Sequence, residues 1–137
     1  MKSKNNFKYR SLGMLVSLLL LSACVSTEPK VSDIEERVTA YWDTLLSGDL
    51  AGAYEFLSPG YRSSVSSMDY QRSILMKQVQ WTSAKYVKSD CTETTCTVEI
   101  SLGYRVAGAV PGVKSFTGSQ NVDESWINID GMWYLVP

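Results

Sequence analysis

The chain has 137 residues, a length that suits one domain with one core after any targeting segment is removed. It contains no histidine, which removes at once the commonest metal ligand and the commonest general acid–base. Thirteen basic residues against fourteen acids give a formal charge of −1, and the three cysteines are Cys24, Cys91 and Cys96.

The first residues carry Lys2, Lys4, Lys8 and Arg10 and no acid, and an apolar run from Leu12 to Leu21 follows. This is the charged n-region and short h-region of an exported chain. It is too short for a spanning helix, which needs about 20 apolar residues. The run closes on Leu21-Ser22-Ala23-Cys24. Here the chain resembles the signals of bacterial lipoproteins, whose lipobox is Leu, a small residue, Ala or Gly, then Cys; all four positions match. The resemblance implies that residues 1–23 are a signal peptide cut before Cys24. It also implies that the Cys24 thiol takes a diacylglyceryl group and that the new amine is acylated. One acyl chain binds a membrane only marginally, whereas two or three hold it. Residues 24–31, rich in Ser, Thr, Glu, Pro and Lys, then read as a lipidated tether. Val25 and Ser26 are unlike inner-membrane retention residues, where Asp after the cysteine is typical. The implied place is the cell envelope, and in a Gram-negative bacterium the outer membrane facing the periplasm.

Four of the thirteen basic residues precede Cys24, so the remaining 114 residues carry nine basic and fourteen acidic side chains, a net charge of −5. That balance argues against nucleic acid as a partner, since binding it needs a basic patch. With Cys24 given to the lipid, Cys91 and Cys96 remain as an even pair in an exported protein, which favours a disulfide. Their spacing is not C-x-x-C, and no second Cys or His pair exists to complete a zinc site, so no metal or cofactor is expected.

Ser32-Asp33-Ile34-Glu35 matches a capping box, with Ser32 as N-cap. The helix it opens places Ile34, Val38, Tyr41, Trp42, Leu45 and Leu46 on one face, and Gly48 stops it. Asp49 is the expected N-cap of a shorter helix burying Leu50, Ala53, Tyr54 and Leu57, which Ser58-Pro59-Gly60 should end. Residues 61–67 read as loop, and a third helix begins after Ser66 or Ser67 and runs through Met68, Tyr70, Gln71, Ile74 and Leu75. From Val79 the period becomes two. Cys96, Val98, Ile100, Leu102, Tyr104 and Val106 share one face of a strand, with Thr97, Glu99, Ser101, Gly103 and Arg105 on the other. Setting Cys91 opposite Cys96 pairs Val87 with Ile100 and Trp81 with Val106 on the apolar face, and Lys88 with Glu99 on the polar one. In that register Ser83 and Lys85 fall on the buried face. Ala107 to Gly112 reads as a bend, and a strand follows over Lys114 to Ile129 with a break expected near Gly118. Asp130-Gly131 is a two-residue hairpin signal that sets Trp126 against Leu135 and Ile127 against Tyr134. Helices followed by an antiparallel meander make an α+β domain, N-terminal helices packed on a curved antiparallel sheet.

Residues Tyr41 to Tyr54, with Gly48-Asp49 and Ala53-Tyr54 at its helix junction, resemble the opening of nuclear transport factor 2-like domains. Leu57 to Arg62 and the hairpin Trp126 to Val136 fall in the matching places. The resemblance covers residues 32–137 and implies a cone, a bent sheet wrapped around helices with a pocket at its open end. Members of the family include enzymes, ligand binders and accessory modules, so the fold alone selects no function. Enzyme candidates are Asp43, Asp49, Glu55, Tyr41, Tyr54, Tyr104 and Arg105, but Asp49 is explained as a cap and Asp43 and Glu55 as solvated helix positions. No nucleophile motif or phosphate loop is present, and no catalytic residue is assigned. Tyr41, Trp42, Trp81, Lys85 and Tyr104 are the candidate pocket lining, suited to an apolar small molecule with a polar handle; an envelope protein is the other partner considered. The expected function is a non-catalytic binding or scaffolding lipoprotein, with a small-molecule enzyme of isomerase or dehydratase type as the alternative.

Overall fold

The computed structural model describes residues 31–110 and 112–137. The signal peptide, Cys24 and all of the tether except residue 31 lie outside them. Four helices precede four strands: α1 Val31–Leu46, α2 Leu50–Tyr54, α3 Pro59–Ser64, α4 Ser67–Leu75, β1 Val79–Cys91, β2 Thr95–Val110, β3 Val113–Ile129 and β4 Met132–Val136. The strands form one antiparallel sheet in the order β1-β2-β3-β4. The architecture is the α+β arrangement expected, with helices on one face of a curved sheet. Among the described residues, no helix is long and apolar enough to cross a membrane.

The core lies where the stripe of α1 meets the inner face of the sheet. Ile34, Val38, Tyr41, Trp42 and Leu45 are all buried, as the helical spacing requires. Under them lie Cys96, Val98, Ile100 and Leu102 of β2 and Trp126 of β3. The helix opens at Val31, one residue before the expected cap, so Ser32 lies within α1. Gly48 turns the chain with φ of 88°, and the Asp49 side chain accepts from the Gly52 amide at 2.8 Å, capping α2 as expected.

Helix α2 does end before Ser58, already at Tyr54, but Ser58-Pro59-Gly60 opens a further helix that was not expected. Pro59 takes the first position of α3, where a proline loses no hydrogen bond, and Ser58 is the N-cap. The expected loop is therefore mostly helix. The Ser58 amide also donates to the Leu135 carbonyl at 2.8 Å, and the Leu135 amide to Phe56 at 2.9 Å, which stitches the α2–α3 junction to the outer edge of β4.

Cys91 and Cys96 are bonded to each other and paired in register, and Lys88 lies opposite Glu99 as expected. Beyond that point β1 departs from simple alternation. Irregularities between Tyr86 and Lys88 and between Trp81 and Ser83 bring Tyr86, not Val87, opposite Ile100, and set Trp81 opposite Tyr104 instead of Val106. Each extra residue flips the faces that follow. Ala84 and Tyr86 consequently turn inward, and Ser83 and Lys85 are exposed, not buried as the regular register had them. The bulges also bend the strand around α1. β3 runs unbroken through Gly118, and β2 continues as strand to Val110, the expected bend being reduced to an irregularity between Ala107 and Val110 and a turn at Gly112. The final hairpin matches the sequence: Asp130 and Gly131 both have positive φ, 53° and 83°, and Trp126 pairs with Leu135 and Ile127 with Tyr134.

Candidate functional site

The concave face of the sheet has two ends. At the first, Tyr41 is the hub of an aromatic cluster: its ring meets Trp42 at 5.4 Å, Phe56 at 5.9 Å and Trp126 at 6.0 Å between centroids. Edge-on contacts of this kind suit the ring quadrupoles. The Tyr41 and Tyr70 hydroxyls lie 3.4 Å apart, and burial raises the pKa of both phenols. Across α1, the Arg37 guanidinium covers the Phe56 ring at 4.0 Å while its Nε donates to the Trp133 carbonyl at 3.0 Å.

Inside this cluster sits Glu124. It lies opposite Val98 on the inner face of β3, two residues before Trp126 and therefore on the same side of the strand. Its Oε1 accepts from the Trp42 indole at 3.1 Å and its Oε2 from the Trp126 indole at 3.2 Å. Those two donors favour the carboxylate, but desolvation outweighs them, and the pKa is pushed up to about 7. Glu124 is the functional candidate that sequence reading missed. The period of two along β3, which carries Val122, Glu124 and Trp126 to one face, was the available signal.

The second end is the mouth. Trp42 meets Trp81 edge-on at 6.2 Å. A groove of about 210 Å³ opens there, lined by Leu45 and Leu46 from the end of α1, Ile74 and Leu75 from the end of α4, and Lys77, Val79, Gln80 and Trp81. Leu75 in this lining is 74% exposed, and Met76, its neighbour along the chain, is 76% exposed. Lys77 is the single charged residue in the lining.

The expected lining residues are thus divided. Tyr41 and Trp42 are buried in the closed end, and Trp81 stands at the boundary. Tyr104 leans onto β3, against Phe116 at 6.3 Å and over Gly118, where a Cβ would meet its hydroxyl at 2.7 Å. Lys85 faces solvent because of the bulges. Among the enzyme candidates, Asp49 caps α2 and Glu55 pairs with Arg62. The Tyr54 hydroxyl donates to the Val65 and Arg62 carbonyls, while Asp43 and Arg105 are exposed. Among the described residues, no cluster of three or more Cys, Asp or Glu is placed to hold a metal ion.

No protein-family model matches the chain, and no curated protein sequence does. Solved structures do. A nuclear transport factor 2-like family protein from Streptomyces avermitilis, named as a dehydratase, aligns with a TM-score of 0.55 at 14% identity over 78% of this chain and 95% of its own. A SEC-C motif containing protein from Rhodopseudomonas palustris aligns with a TM-score of 0.50 at 17% identity over 76% and 72%. At such identities the likeness speaks for the fold alone, and the fold is that of the nuclear transport factor 2-like domains.

Proposed function

We propose that this chain is a membrane-anchored envelope lipoprotein whose domain binds or scaffolds and does not catalyse. The observation that carries the reading is the division of the concave face. Where a catalytic pocket of the cone would lie, aromatic side chains fill the space and both Glu124 oxygens are engaged. Apolar side chains stay accessible at the mouth, among them Leu75, 74% exposed. The tether leads into α1 at Val31, and the mouth gathers at the other end of that helix, about 24 Å away for sixteen residues. A domain held through Cys24 would present its groove away from the bilayer, toward a soluble ligand or an envelope partner.

Cys24→Ser tests the anchor. The account expects the variant to move from the membrane fraction to the soluble fraction, and continued retention in membranes would overturn the lipid attachment.

One observation supports the alternative, a small-molecule enzyme of isomerase or dehydratase type: a carboxyl with a pKa of about 7 close to Tyr41. Against it, the Tyr41 hydroxyl is directed to Tyr70 and the Glu124 carboxylate to two indoles. A Glu124→Gln variant that bound a turned-over substrate normally but lost its conversion would favour the enzyme.

A further inference from the structure

We infer that the uncovered edge of β3 is a self-association surface, where a second copy of this chain adds its own β3 antiparallel across a two-fold axis. The inference goes beyond the binding or scaffolding reading and does not depend on it. It rests on how the sheet treats its edges and on the order of residues along β3.

An edge strand offers unpaired N–H and C=O groups to any other strand, and proteins blunt such edges with bulges, lysines or cover. Two margins of this sheet are treated that way. β1 carries the irregularities at Trp81/Ser83 and Tyr86/Lys88, with Lys85 and Lys88 along it. On β4 the Leu135 carbonyl accepts from the Ser58 amide, the Leu135 amide donates to Phe56, and the Trp133 carbonyl accepts from Arg37. The third margin belongs to β3. β4 reaches only Ser125–Ile129, so among the described residues Val113 to Glu124 has β2 on one side and no backbone partner on the other. This stretch contains no proline, and its ladder to β2 is regular from Ser115 onward. Lys114 to Thr117 and Ser119 to Asn121 are all exposed. Every second residue of such an edge directs a donor and an acceptor outward.

The order of side chains selects the occupant. A two-fold axis centred on Ser119 sets Phe116 opposite Val122 of the second copy and Lys114 opposite Glu124, all on the inner face. On the outer face it sets Thr117 opposite Asn121, Ser115 opposite Asp123, and Ser119 opposite itself. The apolar residues meet each other, the cation meets an acid, the outer pairs are polar throughout, and no like charges oppose. Moving the centre by one residue loses this. Centred on Gly118, Lys114 would face Val122; centred on Gln120, Phe116 would face Glu124. Phe116, 54% exposed in the single chain, gains cover in the Ser119 register, and the symmetry makes each of these unlike pairs occur twice.

The test uses the full chain carrying Cys24→Ser, which also removes the free thiol. Sedimentation equilibrium should show a reversible monomer–dimer association. Ser119→Cys in that chain should give a disulfide-linked dimer on mild oxidation, since directly opposite residues lie within reach of a bridge. Lys85→Cys, exposed on the bulged β1 edge, should stay unlinked. Phe116→Lys, at an exposed position, should weaken association about tenfold, because the pair with Val122 is lost twice. Leu75→Asp, at the mouth, should leave it unchanged. A second copy adds the chain's own mass, so native mass spectrometry tells it apart from a ligand or partner held at the mouth. A monomer at every concentration, equal linking through Lys85→Cys, or a dimer indifferent to Phe116→Lys would overturn the inference. A monomer whose β3 amides resist hydrogen exchange would also overturn it, since residues 24–30 would then be the occupant. So would capture of a different envelope protein through Ser119→Cys in place of the second copy. None of these results bears on membrane release by Cys24→Ser.

Discussion

At one end of the concave face Tyr41, Trp42 and Trp126 close around a carboxylate; at the other, Trp81, Leu75 and Met76 are left partly or mostly in water. Both ends are built from the same kinds of residue, set where helices meet the sheet. The difference is cover. The stripe of α1 ends at Leu45 and Leu46, beside the start of β1 at Val79, while β2 and β3 run on from Val106 and Phe116 to their turn. Side chains under α1 gain burial and defined partners. Those beyond it gain neither, and they pair an apolar surface with one cation. The comparison teaches that stability and binding can be assigned to different lengths of one sheet, and each assignment can be broken separately.

The sharpest break is Trp42→Ala. It empties a buried site and takes a donor from Glu124, so a loss of about 3–5 kcal/mol is expected in urea unfolding. Trp81→Ala, at a half-buried position, should cost clearly less. Equal losses would erase the distinction between the ends.

Next comes pH. The Glu124 carboxyl is raised from 4.5 to about 7 by folding, so the native state holds a proton that the unfolded chain has released between those values. Stability should therefore be full below about pH 4.5, fall as pH rises, and level off above 7, a change of about 3 kcal/mol from this one group. Glu124→Gln should flatten that slope, at the cost of an indole donor facing the amide. A slope unchanged in the variant would move the titrating group elsewhere.

Reduction of Cys91–Cys96 should cost less, about 2 kcal/mol for so small a loop, read as a lower urea midpoint under reductant. Its effect belongs to the closed end, because Cys96 lies opposite Trp126. Leu75→Asp sits at the bottom of the order. At an exposed position it should shift stability by no more than about 0.5 kcal/mol while it weakens binding at the mouth.

Much of the fold could be read locally. Asp130-Gly131 set the last hairpin and its pairs, the cysteine pair and Lys88–Glu99 set the start of β1 and β2, and the spacing from Ile34 to Leu45 set the buried face of α1. What failed had physical reasons. A bulge leaves the alternation of residue types nearly intact while it flips the faces, so Lys85 and Val87 were misplaced. Ser-Pro marks a helix start as readily as a helix stop, and only the bonds from Ser58 and Leu135 distinguish them. The candidate site was legible in part: Trp42 and Trp81 do touch, whereas Glu124 was hidden because a carboxylate in a strand is ordinarily assigned to solvent. The mouth groove has no local signature, since it joins residues from Leu45 to Trp81 that meet only after folding.

Native mass spectrometry of protein extracted from the envelope, wild type beside Leu75→Asp, tests the central claim most directly. The account predicts that wild type carries a retained ligand or partner and that Leu75→Asp, equally stable, has lost it. A bare monomer in the wild type, or the same bound mass in both, would contradict it.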